Sequence, residues 1–245
     1  MHLICLLVIL ISFNGYSQAS KQNDKIYYVS LNFAIQSGQW DGVSTVKEMR
    51  AHGDFGVGSE ERLSSEMVML DGKVYGIPWN GKAFLMKEDT KIAFASVKFF
   101  KADTTLTFNS SMSFHKLEEI LGMIINGNSF AAIRIKTKFS SVQYRSYKKH
   151  EKPYTSTKEA VADTIIKKGM EGTIVGFYTP KSAMVLNSPS YHFHVLDIAR
   201  TTGGHLLEAE LEYAEIQVDY ATGLEVQLPD PALLKNIDLN KIPKE

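Results

Sequence analysis

The chain is nearly free of cysteine. Cys5 is the only one in 245 residues, and it lies in an apolar leader. A mature chain without that leader has no disulfide to brace its fold, no thiolate nucleophile and no thiolate metal ligand. Any metal must then be held by histidine and carboxylate. Net charge is also missing, since 27 acidic residues balance 27 basic ones. Nucleic-acid and membrane-surface binders usually carry a basic excess, so the balance argues against both. The densest basic stretch, YRSYKKHEK at 144–152, is too short to carry such a role alone. After the leader, no apolar run approaches the ~20 residues that a spanning helix needs. There is no internal repeat and no low-complexity linker.

The leader itself, MHLICLLVILISFNGYSQAS, runs apolar from Leu3 to Phe13 and then turns small and polar. This reads as a signal peptide over residues 1–20, with cleavage near Ser17–Ser20. The expectation is a secreted or periplasmic protein, off the membrane once cleaved. At 44% hydrophobic and 22% charged, the chain is long enough and apolar enough for a sizeable core.

Strand-like runs outnumber helical ones. STVKEMRAHG reads as a helix, with Thr45 and Glu48 as a capping box and Gly53 at its exit. Residues 65–77 read as a hairpin on the Asp71-Gly72 turn. Ser113 to about Ile125 gives a second helix, and Ser156 with Glu159 opens a third that stops at Gly169. Residues 129–136 and 138–147 alternate as two strands, and further strands run from GTIVGFYTP to GLEVQLP. The expected class is α+β, with two β-rich subdomains of largely antiparallel or mixed sheets and a few short helices. The division falls at 21–155 for an N-terminal half and 156–245 for a C-terminal half with a polar tail.

The C-terminal half carries SYHFHVLDIARTTGGHLLEAEL, residues 190–211. His192 and His194 alternate on one face of a strand, roughly 6.5 Å apart, while Phe193 and Val195 take the other face. Residues 198–204 supply a turn, in which Gly203-Gly204 permit the positive φ of a tight reversal. The returning strand can set His205 opposite the pair. Three converging imidazoles with an open position are what a catalytic zinc site on a β-hairpin wants. Imidazole also suits iron, copper and nickel, so the spacing leaves the metal open. A cupin-type iron site wants a glutamate about four residues after the second histidine, and positions 198 and 199 are Ile and Ala.

The run from Gly172 to Leu211 resembles the C-terminal signature of the α-acetolactate decarboxylases, in which GxxxGFYTP precedes HxH and GGH comes after it. MRAHGDFGVG, EMVMLDGKVY and FAAIRIKTKFSSVQYRSYKKHEKPY resemble further segments of that family in the same order, so the likeness spans about 28–240. The resemblance implies zinc held by His192, His194 and His205, and a homodimer. It implies decarboxylation of a small 2-hydroxy-3-keto acid, 2-acetolactate, to acetoin and CO2. Zn2+ would act as Lewis acid at the ketone and hydroxyl oxygens and stabilise the enediolate, with no organic cofactor. Glu66 takes the place of the family's active-site glutamate, as metal ligand or proton donor. Arg145 takes the place of its arginine, which holds the departing carboxylate. By composition Arg134 is as good a candidate, and only the register of the match prefers Arg145.

The chain also departs from the family pattern. Ser64-Ser65-Glu66 stands for DGE, and Ser146-Tyr147-Lys148 comes after Arg145 in place of TVP. The family places a further glutamate in its tail, for which Glu245 is the remaining carboxylate. These departures give a second expectation, a catalytically silent relative that keeps zinc for ligand binding. His52, His115 and His150 read as surface or capping residues, and Trp40 and Trp79 as core or turn residues. Tyr178 in GFYTP either lines the site or packs in the core.

Overall fold

The computed structural model describes residues 24–242. The expected leader and Glu245 lie outside that range. Two sheets face each other. The first holds β1 (Lys25–Val29), β2 (Ser44–Thr45), β3 (Phe55–Glu60), β4 (Glu66–Leu70), β5 (Lys73–Ile77), β6 (Phe84–Leu85) and β7 (Lys91–Lys98). Its path is β15-β1-β7-β3-β4-β5-β6, with β2 on β7 and the late strand β15 (Gly223–Gln227) running parallel to β1. All other pairings are antiparallel. The second sheet holds β8 (Thr104–Phe108), β9 (Met112–Ser113), β10 (Phe130–Tyr147), β11 (Ala162–Thr179), β12 (Ser190–Asp197), β13 (Gly203–Leu211) and β14 (Ala214–Ala221). The chain therefore changes sheet between β7 and β8 and returns with β15. The class is the expected α+β arrangement of largely antiparallel sheets with few short helices.

Strand alternation builds the layer between the sheets. Val68 and Leu70 of β4, Phe55 and Val57 of β3, Val175 and Phe177 of β11 and Leu196 of β12 bury into one shared core. Met67 and Met69 point to the opposite face of the first sheet, where they pack with Val46 and Met49 of helix α2 (Val46–Arg50). That helix forms with the expected capping box, Thr45 receiving the Glu48 N–H and Glu48 receiving the Thr45 N–H. The 65–77 hairpin also forms, with Asp71 and Gly72 both at positive φ. Helix α3 (Phe114–Ile124) starts at its Ser113 cap and covers a core inside the second sheet.

Two local expectations are corrected. Residues 129–136 and 138–147 form one strand, β10, which bends by a bulge near Ser140. Its first part pairs with β14 and its second with β13, so one strand serves two neighbours. The expected helix over 156–168 does not form, and strand β11 runs through most of it from Ala162. The β-branched Thr164, Ile165 and Ile166 fit the pleat opposite Arg145, Tyr144 and Gln143 of β10, and that long ladder outweighs a local capping pattern. Gly169 lies inside the strand at φ +65, in the gap of the register opposite Ser140. β10, β11, β12 and β13 pair in a closed ring, because β13 bonds both β12 and β10.

A buried ion cluster ties the sheets together at one end. Lys98 Nζ, at the end of β7, lies 2.8 Å from Asp24 Oδ1 and 3.1 Å from Asp219 Oδ2 of β14. Among the described residues, no helix is long and apolar enough to cross a membrane.

Candidate functional site

The layer between the sheets turns polar at one end. Glu66 shares its face of β4 with Val68 and Leu70, and His192 and His194 share theirs with Leu196. Each strand thus continues an apolar stripe into a polar residue singled out in the sequence. Phe193 and Val195 point into the other core, as alternation requires. His205 is the direct register partner of His194 on β13 and of Arg145 on β10. A bulge between Gln143 and Tyr144 shifts the β10 register just before Arg145.

The three imidazoles converge. Their ring centroids are 5.1–5.2 Å apart. One ring nitrogen from each lies within 4.8 Å of the others. His205 Nδ1 is 3.4 Å from His194 Nε2. Second partners set the tautomers of the other two rings. His192 Nδ1 donates to Asn187 Oδ1 at 2.7 Å, and His194 Nδ1 donates to the Met67 carbonyl at 2.9 Å. Asn187 is fully buried, and its Oδ1 also accepts the Ser188 N–H at 2.9 Å, which fixes the amide. Both Nε2 lone pairs are thereby left for the shared centre.

The turn between the strands differs from the expected one. Asp197 builds it by accepting the N–H groups of Thr201 and Thr202 at 2.6 and 2.9 Å, and Arg200 takes the left-handed φ of +62. Gly203 and Gly204 are already in β13, where Gly204 alone of the pair takes the expected positive φ, at +151. They are needed for close approach: a Cβ would sit 2.1 Å from Val195 O at Gly203 and 2.6 Å from Arg145 O at Gly204.

Glu66 Oε2 is 3.4 Å from His194 Nε2, and Glu66 is only 5% exposed. Burial pushes its carboxyl up to about 8, opposed by the nearby Arg145. Burial drives the His192 ring down to about 4, helped by Arg145, and moves His194 and His205 well below the usual imidazole range. The rings are therefore neutral at pH 7 and free to donate lone pairs. Three neutral imidazoles around one centre, two with their second nitrogen anchored and with a carboxyl group at their edge, are a donor set that fits a divalent cation of the zinc class.

His192, His194, His205, Glu66 and Arg145 all line one cleft of about 100 Å³. Phe94, Leu63 and Tyr147 supply apolar wall, with Ser59 and Asn32 among the polar lining. Arg134 is elsewhere. It stacks 4.5 Å from the Phe100 ring centroid and lies 3.4 Å from Asp71. The structure thus selects Arg145 over Arg134 as the arginine of the cleft. Tyr178 packs on the α3 core and does not line the cleft, Trp40 is fully buried, and Trp79 is half exposed. Sequence reasoning missed Asn187 and Tyr147. Only the i, i+2 spacing from Arg145 on a strand pointed toward the latter.

The residues 26–241 match the family pattern described as alpha-acetolactate decarboxylase. A protein of that name from Methanosarcina mazei is 33% identical over 226 residues, covering 91% of this chain and 78% of its own length. One from Bacillus subtilis is also 33% identical over 226 residues, covering 91% and 89%. The crystal structure of alpha-acetolactate decarboxylase from Bacillus subtilis strain 168 superposes with a TM-score of 0.86 at 31% identity, covering 89% of this chain and 94% of that one.

Proposed function

The chain belongs to the alpha-acetolactate decarboxylase family, and from that premise we propose that it uses zinc to convert 2-acetolactate to acetoin and CO2. One observation carries the reading: His192, His194, His205, Glu66 and Arg145, drawn from both sheets, line a single cleft.

His192, His194 and His205 would hold the ion. Bound there, zinc supplies Lewis-acid polarisation of the substrate's ketone and hydroxyl oxygens. The rest falls to the chain. Arg145 binds the substrate carboxylate and sets the bond that breaks. Cleavage releases CO2 and sends the bonding pair toward the neighbouring ketone. Glu66 is poised to hold a proton at neutral pH, because burial has raised its carboxyl. It delivers that proton to the carbon that lost CO2, giving acetoin. Leu63 and Phe94 keep part of the wall dry, which strengthens each charged contact.

Export rests on the leader pattern at residues 1–20, and homodimerisation rests on the resemblance. N-terminal sequencing of the exported chain and sedimentation test these two points. The central test measures zinc content and acetoin release on one preparation. Chelator should abolish release, and Zn2+ should restore it. Bound zinc without CO2 release would leave a silent binding protein instead.

A further inference from the structure

We propose that Tyr147 is a positioning residue for Arg145, its ring serving as the platform on which the guanidinium rests to receive the substrate carboxylate. The proposal rests on the decarboxylase reading and deepens it. Arg145 and Tyr147 stand at i and i+2 on β10, so both face the cleft. Arg145 Cζ is 4.7 Å from the Tyr147 ring centroid, inside the reach of about 6 Å for a cation–π contact. The Nε of Arg145 is buried and has no hydrogen-bond partner.

The platform is rigid. Tyr147 is 8% exposed and packs in a cluster with Trp40, Leu63 and Phe94. Burial raises its phenol, while the charge of Arg145 and a hydrogen bond from Arg145 to the phenol oxygen oppose that rise, so the ring carries no charge at pH 7. A carboxylate holding Arg145 would neutralise the guanidinium and occupy its donors. A π face attracts the cation from the side, and even with one N–H directed at the phenol oxygen it leaves most edge donors for a ligand. An arginine otherwise loses considerable rotamer freedom on binding, and a fixed stack removes part of that cost beforehand.

The test uses the zinc-loaded protein and two ligands. The first is 2-hydroxy-2-methylpropanoate, a carboxylate with no ketone to drive decarboxylation. The second is acetoin, which has no carboxylate. Calorimetry gives both affinities for wild type, Tyr147→Phe and Tyr147→Met, alongside kcat and KM for acetolactate. Tyr147→Phe should keep carboxylate affinity within about 3-fold, since the π face remains. Tyr147→Met should weaken the carboxylate about 10-fold and lower kcat/KM, with acetoin affinity and zinc content unchanged. If Tyr147→Met loses its melting transition, Tyr147→Leu replaces it. Equal loss for both ligands, or no loss for the carboxylate, overturns the platform, as does a wild type that fails to bind the carboxylate. A wild type that binds it through Arg145 yet releases no CO2 overturns the decarboxylase reading alone.

Discussion

His194 Nε2 lies 3.4 Å from Glu66 Oε2, although one residue belongs to each sheet. The proton-holding group and the ring cluster are thus joined only when the sheets are packed. Glu66→Gln keeps the size and burial of the side chain and removes the exchangeable proton. Its kcat should fall about 10²- to 10⁴-fold with the melting temperature within a few degrees of wild type. Wild-type turnover in that variant would take Glu66 out of the reaction.

Arg145 and Arg134 are separated by the structure, and activity should separate them too. Arg145→Ala removes a charge-assisted contact worth about 1.5–3 kcal/mol, or roughly 10- to 150-fold in kcat/KM. Arg134→Ala, whose parent side chain stacks on Phe100, should leave kcat/KM near wild type. Equal losses in both would mean that the cleft assignment is mistaken.

Much of the fold and of the cleft was legible in the chain. The Asp71-Gly72 hairpin, the Thr45 and Ser113 caps and the strand alternation of His192 and His194 are local, and local rules hold there. The failures are of another kind. Ser156 and Glu159 carry a helix-start pattern, yet the residues beyond Val161 pair along the whole of β10. Nothing local reveals such a partner. Asn187 was equally hidden, because its role depends on a loop folding back under a strand that begins only at Ser190.

Asn187→Ala removes the acceptor that fixes the His192 ring. Zinc affinity should drop about 10- to 100-fold, read by competition with a chelator of known strength. Unchanged affinity would show that strand packing alone holds the ring.

The metal-free chain should lose stability on acidification. His192 titrates at about 4 when folded and near its ordinary 6.5 when unfolded. The unfolded state therefore binds the extra proton first, and the contribution is complete above pH 6.5 and lost as pH falls toward 4. Its size is on the order of 3 kcal/mol. The stability difference between wild type and His192→Gln should shift against wild type by that amount as pH falls across the window, and parallel curves would rule the effect out.

Away from the cleft, Lys98→Met strips the shared cation from Asp24 and Asp219. Breaking a buried pair on one side costs about 3–5 kcal/mol. The denaturant midpoint should fall accordingly, and a midpoint at the wild-type value would show that the carboxylates are satisfied without the lysine.

The acceptor for His194 Nδ1 is the main-chain oxygen of residue 67. No codon change at that position can delete it, since every amino acid brings the same carbonyl. The methionine there answers only to the packing beneath α2. Drift at residue 67 is therefore confined by the apolar core and not by the ring, and the imidazole's orientation is inherited from the sheet itself. An alanine scan would pass over the contact in silence.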